Sequence, residues 1–236
     1  MNPILAGVAL VVTAGAVTAI SAREARAALV GLAIALVASP FLGDPLPQVS
    51  TLAMRVVGAA LAAYLLRAAL EAAHPLPARG PRLPGGSRIG WPAEALIAVA
   101  AWVVAVYLAN GLASMASTGP GRPAGDLLGM LTPAAVATAA GLASIVVGIV
   151  PALGGRDALR TTIGSLILLQ GVMLFRIGIA GPPGDLEQIG GVMLLVAIVL
   201  AGGWLIGAEG RREDLEAQGR ENAPSPDATE EPGPAA

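Results

Sequence analysis

Charged side chains set inside long apolar runs carry the chemistry most open to interpretation here, because a charge near a bilayer centre costs at least about 2.5–3.5 kcal/mol on insertion scales. Arg55 and Arg176 stand a turn or so inside one end of their runs, while Arg67, Glu71 and Glu94 stand near the other end. Two uses fit such depths. A long side chain can lay its stem along apolar surface and lift its charged head to water. Alternatively, Arg55 or Arg176 pairs with a carboxylate on the same side, for which Asp44, Asp185 and Glu187 are candidates. No Asp or Glu falls near the middle of any run, so the carboxylate or histidine chain of a proton relay is not legible. Gln170 and Tyr64 are the notable uncharged polar groups at mid-run, suited to bonding between helices or to lining a path.

Other chemistries are poorly supplied. The chain has no cysteine and one histidine, His74, which precedes a proline at a run's end. Disulfides, iron–sulfur clusters, histidine-ligated haem and ordinary zinc sites therefore have no ligand set. No serine–histidine, HExxH or Walker pattern stands out, so no catalytic, cofactor-binding or metal-binding residue is expected in this chain. The arginines are scattered among short loops without interleaved aromatics, which argues against nucleic acid as a partner.

The elements that must position these residues are membrane helices. Hydrophobic residues make up 55% of the 236-residue chain and charged ones 13%, about half the charge of an ordinary soluble domain. The apolar residues come in blocks long enough to cross a bilayer as helices, and lipid offers free backbone groups no partner, so helix is the only economical form. The expectation is an all-α, multi-pass bundle partnered by the lipid bilayer of a cell membrane. Its spans are placed at about 3–21, 27–43, 51–71, 92–111, 132–151, 161–180 and 189–208. Ser50, Pro92 and Thr132-Pro133 supply helix starts, and Asp185-Leu-Glu-Gln188 resembles a capping box.

Arginine sets the orientation: Arg23 and Arg26, Arg79, Arg82 and Arg88, Arg156 and Arg160, and Arg211 and Arg212 all follow odd-numbered spans. The opposite connections hold only Arg122, so the N-terminus is expected outside and the C-terminus in the cytoplasm. Ala25-Arg-Ala27 could pass for a signal cleavage site, but no positive charge precedes the first apolar run. Residues 73–90 carry turn chemistry throughout, and 126–131 suit a short interfacial helix. Residues 209–236 are expected as an acidic, Pro/Ala-rich disordered tail. Small residues four apart in Ser144–Gly148 and Gly203–Gly207 hint at close helix contacts, and no internal repeat is evident.

The segment Arg156-Asp-Ala-Leu-Arg160-Thr-Thr-Ile-Gly164, leading through Leu169-Gln170-Gly171 to Asp185-Leu-Glu187-Gln-Ile-Gly190, resembles the component-E membrane subunit of hydrogenase-4-type complexes. That group is related to the K subunit of respiratory complex I. A weaker similarity covers Arg55 to Tyr64, where the family has a basic residue followed by an apolar helix with a tyrosine. Arg156, Arg160, Gly164, Gly171, Asp185 and Glu187 match by position; the family's membrane carboxylate does not, because Leu169 and Gln170 stand there. The resemblance implies assembly or lateral contact with other membrane subunits of a redox-driven or antiporter-like complex, without a proton-handling glutamate. The rival reading is a stand-alone transporter or channel for a small solute, which requires a solvated cavity lined by Asn110, Gln170 or the Arg55–Arg176 pair. A purely structural membrane protein is the third.

Overall fold

The structure is a computed structural model that describes residues 3–43, 48–73, 90–116, 131–154 and 157–221. The described residues are helical, without strands, and form the expected multi-pass transmembrane bundle. The helices are α1 (Pro3–Ser21), α2 (Ala25–Ala38, continued by a 3₁₀ turn over Ser39–Leu42), α3 (Val49–Ala73), α4 (Trp91–Ala116), α5 (Pro133–Gly154), α6 (Ala158–Ala180) and α7 (Asp185–Glu221). All seven contain windows long and apolar enough to cross a bilayer. The expected turn-rich loop over 73–90 and the interfacial helix over 126–131 fall almost wholly outside the described residues.

Several helix starts follow their local chemistry. Thr132 caps α5, its Oγ1 accepting the Ala135 N–H at 3.2 Å. Ser50 lies within the first turn of α3 rather than before it. Only the glutamate half of a capping box forms at α7, and it sits one residue earlier than expected. Gly184 is the cap, its carbonyl accepting the Gln188 N–H at 3.0 Å, and Glu187 Oε2 accepts the Gly184 N–H at 3.2 Å. At the far end, α7 does not stop at 208 but runs unbroken to Glu221. Glu, Arg, Leu, Ala and Gln dominate this stretch, and all are good helix formers. The rest of the expected tail, 222–236, lies outside the described residues.

Burial is arranged for lipid rather than water. Alanine dominates the interior, with Ala9, Ala25, Ala28, Ala105, Ala139, Ala140 and Ala143 completely buried, while large apolar side chains such as Leu10, Val57, Leu96 and Trp204 point outward. Hydrocarbon solvates Leu and Val as well as a protein interior does, so the helices associate through close packing of small residues. The hairpin α5–α6 shows this most clearly. A Cβ added to Gly148 would lie 2.9 Å from Leu168 N and 3.0 Å from Gly164 O, and one added to Gly164 would lie 2.6 Å from Ala152 N. Gly141, Gly171 and Gly178 meet the facing backbone in the same way.

Hairpin α1–α2 repeats that register. A Cβ on Gly15 would lie 2.9 Å from Gly31 O and 3.0 Å from Ala35 N, and one on Gly31 would lie 2.6 Å from Ala19 N. Every one of these residues has its counterpart 133 positions later: Gly15 with Gly148, Ala19 with Ala152, Gly31 with Gly164, Ala35 with Leu168. The intervening turns correspond too, Arg23-Glu24-Ala25 with Arg156-Asp157-Ala158. Helices α3 and α7 lie side by side and run the same way, Gly58 beside Val192 and Ala69 beside Gly203. The bundle is therefore two three-helix units, α1–α3 and α5–α7, of like topology and related by a pseudo-twofold, with α4 linking them. This corrects the expectation of no repeat.

Glycine at a backbone contact and glycine in open space should behave oppositely. Gly164→Ala is expected to cost about 1–3 kcal/mol by forcing α5 and α6 apart. Gly207, with no atom within 4 Å of a built Cβ, should tolerate alanine or gain up to about 1 kcal/mol of helix propensity. Unfolding of the micelle-solubilised protein by dodecyl sulfate, followed by tryptophan fluorescence, reads both.

Candidate functional site

The polar residues singled out in the sequence gather at the end of the bundle that carries the α6–α7 turn. Helix α6 ends at Gly181, whose φ of +81° is closed to most side chains and turns the chain into Pro182-Pro183-Gly184. Arg176, in the last turn of α6, reaches over this connection. Its Nη1 donates to the Gly181 carbonyl at 2.9 Å, and its Nη2 forms an ion pair with Glu187 of α7. A guanidinium beside the carbonyl end of a helix also offsets the negative pole of the helix dipole. Gln188 completes the tie by donating from Nε2 to the Pro183 carbonyl at 2.9 Å. Among the expected pairings of Arg55 or Arg176 with Asp44, Asp185 or Glu187, the one between Arg176 and Glu187 is thus present; Asp44 lies outside the described residues.

Arg55 is used differently. It projects from α3 into two adjoining cavities and makes no ion pair with any described residue. The inner cavity, of about 50 Å³, is lined by Leu36, Ser39 and Pro40 of the first unit and by Leu169, Gln170, Met173 and Gln188 of the second, among others. The outer, of about 230 Å³, adds Gln48, Thr51 and Asp185. The inner lining is itself nearly symmetric: Leu36 and Leu169, Pro40 and Met173, Arg55 and Gln188, Gly58 and Gly191, and Ala59 and Val192 are equivalent pairs. The pseudo-twofold therefore passes through this cavity. Symmetry fails where the polarity lies, since Arg55 faces its counterpart Gln188, and Gln170 occupies the place of Val37. It also fails in the backbone. Proline at 40 cannot donate to the preceding turn, and α2 gives way there to a 3₁₀ turn where α6 continues.

The remaining sequence candidates lie elsewhere. Tyr64 sits on the outward face of α3, two-thirds exposed, and so is not between helices. Arg67 and Glu71 form an i,i+4 pair at 2.8 Å near the opposite end of α3. Asn110 donates to the Val106 carbonyl of its own helix at 2.7 Å and lines neither cavity. Arg160 is largely buried at the start of α6, with Nε 3.9 Å from Asp157 and with Nε and Nη2 lacking hydrogen-bond partners among the described residues. Arg156, the other loop arginine of the family resemblance, lies outside the described residues. Sequence reading missed Glu209, assigned to the tail. Its two carboxylate oxygens accept the Ala158 N–H at 3.1 Å each, so α7 caps the start of α6 across 51 residues. No sequence signal pointed to it, because Asp157 is a favoured N-cap residue by type and only the structure shows that it makes no side-chain capping bond.

Comparison with protein-family models, curated protein sequences and solved structures returns no match for this chain.

Two measurements check these polar contacts. A double-mutant cycle with Arg176→Gln and Glu187→Gln should return a coupling of about 0.5–1 kcal/mol, the modest value of a partly exposed pair. Glu209→Ala, which removes a helix cap, should cost about 0.5–2 kcal/mol in the same dodecyl sulfate titration.

Proposed function

We propose that this multi-pass membrane protein is a subunit of a complex I-like or membrane-bound hydrogenase assembly in a prokaryotic plasma membrane. In this reading its N-terminus lies outside, its C-terminus lies in the cytoplasm, and its role is lateral contact rather than proton translocation. The observation that carries the reading is where the chain keeps its charge and where it leaves its surface open. Every charged side chain described in the spans lies within about two turns of the end of its span, so the described residues form no ionisable chain across the bundle. Gln170, mid-way along α6, occupies the place of the family's carboxylate and cannot exchange a proton at physiological pH.

The surface is suited to neighbours. Helices α3, α4 and α7 are the least buried, with 22%, 28% and 17% of their apolar windows inside the bundle. Gly111, Gly190 and Gly207 leave open space where a Cβ would stand, so another helix can approach their backbones closely. Past the apolar part of α7, Arg211, Arg212 and Glu216 are exposed on a helix that projects beyond the bilayer core, within reach of a peripheral subunit.

Affinity purification from native membranes in mild detergent, with mass spectrometry of stoichiometric partners, tests this. Antiporter-like membrane subunits together with a quinone- or hydrogen-oxidising module are expected. Recovery alone or as a homo-oligomer overturns the reading. Gly207→Phe on the open face of α7 is expected to lower partner recovery severalfold without unfolding the chain, whereas Gln170→Leu should leave recovery unchanged.

A further inference from the structure

We infer that the outer cavity, beside the inner one at the α6–α7 end, is a binding site for a small zwitterion, a solute carrying both a carboxylate and an ammonium group. The inference goes beyond the subunit reading and does not depend on it. Arg55 and Asp185 line the same cavity of about 230 Å³, yet they form no ion pair with each other or with another described residue. Two opposite charges that share a cavity and stand too far apart to pair leave room for a solute that bridges them. The guanidinium offers a planar fork of donors to a carboxylate, and the Asp185 carboxylate accepts from an ammonium.

Simpler ions fit the cavity less well. A lone anion on Arg55 would face Asp185, and a lone cation on Asp185 would face Arg55, whereas a zwitterion meets a complementary group at each end. The uncharged lining supports the same class. Gln48, Thr51 and Gln188 also line the cavity and add uncharged polar groups beside the two charges. The smaller cavity, lined by Leu36, Leu169, Met173 and Val192 together with Gln170 and Glu187, has room for a short substituent and nothing long. The volume restricts the solute to a few non-hydrogen atoms beyond its two charged groups.

Isothermal titration calorimetry on the full chain in detergent micelles tests the site, with glycine, β-alanine and γ-aminobutyrate as probes of increasing charge separation. Propionate and propylamine are the single-charge controls. Saturable binding of at least one of the three zwitterions is expected, with neither control binding comparably. Arg55→Gln and Asp185→Asn should each weaken it about tenfold or more, the loss of one charge-assisted contact. Arg55→Lys, which keeps the charge, should retain more of the affinity than Arg55→Gln, a difference that a merely structural role for Arg55 would not produce. Size-exclusion chromatography checks that each variant is folded, and if Arg55→Gln fails there, Asp185→Asn and Arg55→Lys carry the test. The site is overturned if no zwitterion binds, if propionate or propylamine binds as well as the best zwitterion, or if affinity survives both neutralising substitutions.

Discussion

Backbone-to-backbone contact between helices is the constraint on which this bundle depends. Lipid removes the usual reward for burying leucine, so α1 and α2, like α5 and α6, are held by how closely their main chains approach. That approach is possible only where no side chain intervenes, at Gly15 and Gly31 in one hairpin and at Gly141, Gly148, Gly164, Gly171 and Gly178 in the other. The glycines of α6 fall every seven residues, the spacing that keeps one face turned towards a partner along a left-handed crossing. Two helices closed in this way form a stiff pair, against which the third helix of each unit rests. The likeness of the two units rests on one closure used twice, at the Gly15–Gly31 and Gly148–Gly164 contacts.

Near-symmetry makes the departures from it informative. Where two units meet at an axis, equivalent residues face one another, and identical charges there would repel at short range. Arginine in one unit and glutamine in the other removes that conflict while leaving a single cation at the axis. Pro40 adds a second asymmetry, because the break it imposes on α2 lies against the cavity while the matching stretch of α6 stays regular. Arg176 has Gly43 as its counterpart, and it serves the α6–α7 turn, a connection that joins its helices through Pro182-Pro183. The two arginines singled out by depth alone thus differ: Arg176 is tied into the α6–α7 turn, and Arg55 has no ion-pair partner among the described residues.

The seven helices were legible because each is a run of apolar residues long enough to cross a bilayer, a property that needs no knowledge of neighbours. The repeat was not legible, for the same reason that it is stable. Packing constrains only glycine and small residues at the contact, and the rest of each helix accepts any apolar side chain, so α1–α3 and α5–α7 retain few identities. Facing was equally hidden. These helices are apolar all round, which leaves no amphipathic signal to say that Tyr64 points outward while Arg55, on the same helix, points into a cavity. Gln170 and Arg55 were singled out separately, but their meeting with Gln188 around one cavity depends on α3 and α7 running side by side, a relation made by tertiary packing. Glu209 was hidden by its surroundings, since an acid among other acids reads as solvated until the helix carrying it is seen to pass the start of α6.

Position along the bilayer normal then decides what each polar group can do. Apart from Gln170, which borders the inner cavity, the described interior offers mainly alanine, glycine and hydroxyl groups turned back on their own helices, as with Thr138 on the Ala134 carbonyl and Ser144 on the Ala140 carbonyl. Such groups are satisfied within one helix, so they neither bind helices together nor line a path. At the α6–α7 end, by contrast, charges and amides converge from α3, α6 and α7 around open volume. The opposite end holds Arg160 and Glu94, each with buried polar atoms that lack partners among the described residues, beside helix starts rather than a cavity. The proposed recognition of a small polar solute is accordingly assigned to the first end, and the proposed contact with larger neighbours to the exposed flanks of α3, α4 and α7. The two proposed roles therefore draw on separate parts of the bundle, the rim at the α6–α7 end and the outward faces of its least buried helices.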